Sequence, residues 1–446
     1  MLLAIALAAV SAWVPARWPT GDPSSLDLVQ GTRINCLLLE SPHWSPAFSA
    51  KAAQLGIATL GVVRPGADLD GEAKRARQSE LQGLVLEGDF DSQPDLKGLT
   101  IVSLPSRSNM RFDDLIVGSS QGVWPGVNQV DEQHAKAAPS GAPWLDTNSG
   151  FLRFARAMTN RPIWIANTPP PYKIYKVERY LQAIAEAAMC GARWVIALDT
   201  DFSSRLARQE APALADWKRI TGMLEFVESN ADQSNWGAAG ELTLIQDPSS
   251  GALLSGGILD MIAVKHTPVR LVPQKRLSAA AMKGSSMTVN VNPGGLTEEQ
   301  RQILVNYTKA GGTVLTGPPG WQFPTPRAGQ ITLDEKELEK LDAIWKELNT
   351  MTGRRNLGAR LFNVSSMLSN LTATPDGQRQ LLHLVNYTDF PVESITVHVL
   401  GKWKQATILQ PGAAPQKLEV YPVEEGPATG VDIPLVGSYA LLLIEP

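Results

Sequence analysis

Three apolar runs in this chain of 446 residues end in carboxylates: Ile34–Leu39 before Glu40, Leu81–Leu86 before Glu87, Asp89 and Asp91, and Arg193–Leu198 before Asp199 and Asp201. If the runs are parallel strands of an α/β fold, each acid stands at a strand carboxyl end, where such folds bind ligands. Cleavage of a glycosidic bond needs two carboxyl groups, one protonated to help the leaving oxygen and one ionised as nucleophile or base. Asp199 and Glu87 are the first candidates for that pair, and Asp146 is the third. The competing reading of each acid is a helix N-cap or a loop salt bridge. It weighs most on Asp201, which precedes Ser203-Ser204, and on Asp146, which stands where an N-cap belongs.

Around these acids lie residues suited to holding a sugar. The Gly- and Pro-rich stretch Gly122–Phe154 carries Trp124, Asn128, Trp144, Asn148 and Arg153, and loops of that length inside a regular fold are commonly functional. Indole faces stack on sugar rings, and Asn or Asp side chains hold vicinal hydroxyls. Arg153 suits a carboxylate on an acidic sugar, or a local pair with Asp146. His43 and Trp44 follow Glu40 as a second cluster, and Asn167 and Tyr172 frame a triple proline as a third. Glu40, Asp89 and Asp201 complete the predicted binding set. Core packing competes for every Trp: the chain has 12, against 10 Phe and 7 Tyr, so some must fill interiors.

Other chemistries find little support. Two Cys and five scattered His give no close-spaced metal motif, and neither a GxGxxG loop nor a GxSxG elbow is present, so no metal or cofactor is expected. A net charge of -4 provides no basic footprint for nucleic acid.

The elements that must position these residues alternate. From Arg33 onward, apolar runs suited to strands alternate with amphipathic runs at Pro46–Leu55, Asp68–Glu80, Thr147–Thr159, Lys176–Cys190 and Pro212–Asn230. About seven strands with long crossovers predict a (β/α)8-type TIM barrel, possibly degenerate, over residues 13–236. Residues 237–360 predict a smaller flavodoxin-like α/β domain, with helices at Gly256–His266, Thr297–Ala310 and Leu333–Asn349. Thr297-Glu298-Glu299-Gln300 reads as a capping box. Residues 361–446 read as short alternating strands of an antiparallel β-sandwich.

Met1–Ala12 is a short apolar segment ending in the small-residue pattern Val10-Ser11-Ala12, which predicts export to the periplasm or medium. No later run approaches the length of a membrane span. Cys36, inside an apolar strand, and Cys190, at a helix end, read as two buried thiols.

The segments MTVNVNPGGLTEEQRQILVNYTKAGGTVLTGPPG (287–320) and HLVNYTDFPVESITVHVLG (383–401) resemble the second and third domains of bacterial beta-galactosidase-type glycoside hydrolases. The order of barrel, middle domain and sandwich resembles that family over nearly the whole chain. The family's paired Asn-Glu acid signature is not found, so no catalytic position is carried over. The resemblance implies a carbohydrate substrate and a middle domain, similar to a glutamine amidotransferase fold, that makes a homo-oligomer. Neither Cys falls in that domain, which excludes amidotransferase chemistry there. The expected function is glycoside hydrolysis by strand-end carboxylates. The alternatives are a non-catalytic glycan-binding or scaffold protein on a degenerate glycosidase fold, and a lyase or isomerase that would use a Lys, Tyr or His base.

Overall fold

In a computed structural model of the chain the described residues are 10–91, 96–127, 145–234, 236–246, 266–290, 293–317, 335–364, 366–424 and 426–446. They form two compact units, Met1–Trp124 with Thr159–Ser229, and Pro125–Met158 with Asn230–Pro446.

The first unit is a mixed α/β arrangement of parallel strands. β1 (Pro15–Trp18), β2 (Cys36–Leu39), β3 (Ala58–Val63), β4 (Gly83–Glu87) and β5 (Thr100–Leu104) make one sheet in sequence order. Between them run α1 (Pro46–Gln54) and α2 (Leu69–Gln78), close to the predicted spans. β6 (Val117–Ser119) begins a second sheet. The chain then leaves this unit through β7 (Gly126–Val127), β8 (Leu145–Asp146) and α3 (Ser149–Met158). It returns with β9 (Ile163–Ile165), α4 (Val177–Met189), β10 (Arg193–Trp194), α5 (Thr200–Ala207) and α6 (Ala211–Ser229). Every ladder among β1–β6, β9 and β10 is parallel, in sheets ordered β1-β2-β3-β4-β5 and β10-β9-β6. Further hydrogen bonds link the sheets at both edges. Arg17 N donates to Ile196 O (2.7 Å) and Ile196 N to Pro15 O (3.1 Å), while Ser120 N donates to Pro105 O (3.1 Å).

One apolar cluster draws on both sheets, including Leu38, Leu60, Val62, Val85, Leu104, Trp164 and Val195. Because paired residues of neighbouring strands face the same way, the register decides what shares this face. Arg17 pairs with Leu38, Leu38 with Leu60, Val62 with Val85, and Glu87 with Leu104. Arg17, Glu87 and, by two-residue alternation, Glu40 and Arg64 therefore point to the side of the apolar cluster, at its carboxyl end. Glycines act where the chain needs space or a turn. A Cβ on Gly61 would lie 2.3 Å from the Trp44 ring, and Gly191, with φ of 68°, turns the chain from α4 into β10.

The second unit contains a four-stranded parallel sheet and two antiparallel sheets. β11 (Gly237–Ala238) pairs antiparallel with residues 372–373. β12 (Leu242–Gln246), β13 (Val269–Pro273), β14 (Met287–Asn290) and β15 (Thr313–Thr316) form a parallel sheet in the order β13-β12-β14-β15. α7 (Glu298–Lys309) packs Leu304 onto the cluster around Ile245 and Val272. It opens with the predicted capping box, in which Gln300 N donates to Thr297 Oγ1 (3.2 Å) and Thr297 N to Gln300 Oε1 (2.9 Å). α8 (Glu335–Thr352) follows.

The antiparallel strands β16 (Ala359–Phe362), β17 (Met367–Ala373), β18 (Gln380–Asn386), β19 (Val392–Leu400), β20 (Gln405–Leu409), β21 (Gln416–Leu418), β22 (Val420–Pro422), β23 (Ala428–Val436) and β24 (Tyr439–Glu445) complete the chain. They form sheets ordered β11-β17-β18-β24-β20-β21 and β16-β19-β23-β22, with a shared core that includes Leu382, Leu442, Val397 and Ile433. Buried and less buried residues alternate along β19 and β20, as the sequence predicts for antiparallel strands, whereas β17, β18 and β24 are buried nearly throughout.

One placement differs from the sequence reading. Pro125–Met158, expected inside the barrel, groups with the second unit. The physical reason lies in α3. Arg153 is buried there, its Nη1 donating to Asn370 Oδ1 (2.7 Å) and its Nη2 to Ser369 O (2.7 Å) of β17. Arg276 also donates to the carbonyls of Ala157 (2.8 Å) and Met158 (3.1 Å).

The expected helix Gly256–His266 lies outside the described residues except for His266. Cys36 and Cys190 are buried and no disulfide joins them; burial raises the Cys36 thiol well above its ordinary range. No helix among the described residues is long and apolar enough to cross a membrane.

Candidate functional site

Four consecutive strands of the first unit place a charged side chain at or just beyond their carboxyl ends, with alternating sign: Arg17 on β1, Glu40 after β2, Arg64 after β3 and Glu87 on β4. The parallel register brings them together, although 70 residues of sequence separate the first from the last. Arg17 Nη1 lies 3.3 Å from Glu40 Oε1, and Arg17 Nη2 contacts Glu87 Oε1. Arg64 binds Glu40 through both terminal nitrogens (2.7 Å each) and Glu87 through Nη2 (2.9 Å). Two predicted acids thus share two guanidinium groups.

The quartet grades from interior to solvent. The Arg17 and Glu87 side chains are 10% and 13% exposed, and those of Glu40 and Arg64 are 40% and 51% exposed. The Arg64 hydrogen bonds, working against partial burial, hold the Glu40 carboxyl below its ordinary pKa. The same pairing raises the Arg64 guanidinium. An ionised Glu40 accepts hydrogen bonds and cannot itself protonate a leaving group.

Beside the quartet, Trp44 donates its indole N–H to Leu39 O (2.9 Å), with the Arg75 guanidinium 5.1 Å from its ring centroid. His43 ends the short turn Ser41–His43 that carries the chain from Glu40 to Trp44. Asp89 accepts from Ser106 N (2.9 Å); burial would raise its carboxyl, but this bond and those from the Asn109 and Ser106 side chains leave it lowered.

Asp199 has a different environment. It is 1% exposed and N-caps α5, accepting from Phe202 N (2.9 Å) through Oδ1. Oδ2 accepts from Tyr180 OH (2.8 Å) and Tyr175 N (3.2 Å). Trp124 stacks on Tyr175 at 4.3 Å and meets Tyr180 and Trp194 edge-on, both at 5.1 Å. Burial, the largest cause, and the Asp199 charge raise the Tyr180 hydroxyl well above its ordinary value. The arrangement is a packed aromatic cluster tied to a helix cap, with Trp124 only 9% exposed. Asp199→Ala is expected to cost about 2 kcal/mol, from the lost cap and the stranded tyrosine hydroxyl, while Asp199→Asn keeps one acceptor oxygen for the cap and costs less. Urea unfolding of both variants measures the difference.

The other predicted residues disperse. Asp201 binds Arg205 (2.8 Å) one turn along α5, and Asn167 donates to Gly122 O (2.6 Å). Tyr172 is 87% exposed. Asp146, exposed and paired with Gly126 across β7 and β8, belongs to the second unit, as do the buried Asn148 and Arg153. Asn128 and Trp144 lie outside the described residues. No group of His, Cys, Asp and Glu able to hold a metal occurs among the described residues.

Sequence reasoning passed over Arg17 and Arg64. Arg64 follows the apolar run Ile57–Val63 as Glu40 follows its own run, so the signal was present for a base as much as for an acid. Arg17 lies in PARW, a four-residue strand between apolar leader and proline-rich turn, which has no recognisable strand period.

No family model matches the sequence, and no curated protein matches it. Among solved structures the chain is similar to alpha-L-fucosidase isoenzyme 2 from Paenibacillus thiaminolyticus, at 8% identity and a TM-score of 0.62, covering 97% of this chain and 99% of that one. A rhamnosidase from Novosphingobium sp. PP1Y (13% identity, TM-score 0.46, 89% of this chain and 39% of that one) and a GH42 beta-galactosidase from G. stearothermophilus (10%, 0.39, 91% and 68%) are more distant. At 8% identity over nearly both full lengths, the first likeness is one of architecture: this chain has a glycoside hydrolase-like fold.

Proposed function

We propose that the eight parallel strands of the first unit close into a (β/α)8-type barrel, and that its mouth binds a glycan without hydrolysing it. The links of β1 to Ile196 and of Ser120 to Pro105, together with the single apolar cluster drawn from both sheets, support closure. The observation that carries the binding reading is the neutral Arg17–Glu40–Arg64–Glu87 quartet. It offers sugar hydroxyls both charged donors and charged acceptors, but Glu40 is held ionised and Asp199 is fully engaged. Trp44 supplies an apolar surface next to Glu40. Export through Met1–Ala12 and homo-oligomer formation through the middle domain complete the proposal.

A second reading, hydrolysis, is favoured by one observation: Glu40 and Glu87 contact the same two guanidinium groups and so stand close together, as a carboxyl pair acting on one bond must. One experiment separates the two. The protein and its Glu87→Gln and Arg64→Ala variants are titrated with a panel of mono- and oligosaccharides by calorimetry and assayed on nitrophenyl glycosides. Binding without turnover, weakened at least tenfold in both variants, is expected. Turnover that Glu87→Gln abolishes establishes the hydrolase instead, and a protein that neither binds nor cleaves any panel member refutes both.

A further inference from the structure

We infer that the loop after β9, residues 168–175, forms a wall of the barrel mouth where Tyr172 and Ile174 pack on the apolar face of a sugar, so that the ligand is an oligosaccharide chain and not a single sugar. The loop serves this role only if the mouth takes a glycan, the reading on which the assignment rests.

The register places this loop beside the quartet, in the same unit. β9 pairs with β10 through Ile165 and Trp194, and Ala16 of β1 bridges to Ile196. Carried along the ladder, Asn167 is level with Ile196 and Ala16, and one residue further Thr168, Ala197 and Arg17 stand in one row across three strands. Trp164, Ala166 and Val195 all belong to the apolar cluster, so two-residue alternation turns Thr168 and Ala197 to the same side as Arg17. Two strand spacings, about 10 Å, separate Arg17 from Thr168. Between them Ala197 offers only a methyl group, and Thr168 is short and exposed. No bulky side chain of this row stands between the quartet and the loop.

The loop is also fixed, and fixed toward β1. Pro171 O accepts from Thr200 Oγ1 (3.1 Å) and Tyr175 N donates to Asp199 Oδ2 (3.2 Å), which ties residues 171–175 to the chain leaving β10, the strand between β9 and β1. Lys173 N donates to Pro170 O (2.9 Å), Tyr175 stacks on Trp124 (4.3 Å), and three prolines restrict the backbone before Tyr172. On this support Tyr172 is 87% and Ile174 64% exposed. Apolar groups held out on a rigid backbone lose little freedom when a ligand covers them. A pyranose has hydroxyls at its edge for charged donors and acceptors, and a C–H face for an aromatic ring. The quartet supplies the first to one sugar unit, and Tyr172 with Ile174 supplies the second to units further along the chain.

The test is calorimetry on the full chain with glucose, xylose and galactose, and with cellotetraose, xylotetraose and galactotetraose. At least one tetrasaccharide is expected to bind about tenfold tighter than its monosaccharide. Tyr172→Ala should reduce that advantage about fivefold, with monosaccharide affinity and Tm unchanged because the side chain is exposed, and Tyr172→Phe should retain it. Arg64→Ala, in the quartet, should weaken both ligands alike and leave their ratio intact. A tetrasaccharide that binds no tighter than its monosaccharide, or an advantage that survives Tyr172→Ala combined with Ile174→Ala, overturns the inference while the quartet reading stands. Absence of binding by every sugar overturns both.

Discussion

Arg17→Met is expected to destabilise the protein by about 3 kcal/mol, at the low end of the cost of leaving a buried carboxylate without its partner. The Arg17 guanidinium binds both glutamates, and Glu87, itself 13% exposed, keeps only Arg64 once it is gone. Coulomb attraction inside the unit repays the desolvation of these groups only while the set is complete. Adding Glu87→Leu should therefore recover most of the loss, because an apolar side chain replaces a stranded charge over the apolar cluster. Urea midpoints for the two single variants and the double give the coupling energy. A single-variant cost below about 1 kcal/mol would mean that water screens the pair as it does at a surface.

His383 provides the second large effect, through pH. It is fully buried on β18, Nδ1 lies 2.7 Å from Tyr439 OH, and Nε2 has no partner. Burial first, and the Arg153 charge second, push its pKa down to about 3 from an ordinary 6.5. Arg153 donates to Asn370, which pairs directly opposite His383 across β17 and β18, so the cation faces the imidazole's own strand pair. The folded protein thus refuses a proton that the unfolded chain takes up below pH 6.5. Stability is full above that value and is lost as pH falls toward 3; linkage gives a loss of about 2 kcal/mol between pH 7 and pH 5. His383→Gln should remove this part of the pH dependence, read as the difference between the two proteins' urea midpoints at pH 5 and pH 7. Parallel profiles would show that the imidazole is hydrated.

Local signals made most of the architecture legible. Apolar runs of strand length, the Gly191 stop and the Thr297–Gln300 box lie within a few residues of the features they specify, and the observed elements follow them. The meaning of the acids was legible only in part, because a carboxylate's role depends on what faces it. Asp199 reads as a strand-end acid until Tyr180, 19 residues away, is seen to occupy it. Glu40 and Glu87 read as a free pair until Arg17 arrives from a strand with no period of its own. The allegiance of α3 was hidden for the same reason: an amphipathic helix announces that it needs a partner surface without naming it.

That helix sets an order of events during synthesis. Arg153 leaves the ribosome 217 residues before Asn370, its acceptor. Throughout that interval the guanidinium keeps its shell of water, although β13 and Arg276, which the same helix also meets, emerge earlier. A folding ribosome-bound chain therefore carries an unclosed loop, and the late arrival of β17 completes it: a long-range closure of the kind that slows folding. Stalled chains ending between β15 and β17 should leave α3 more open to protease than those ending after β24.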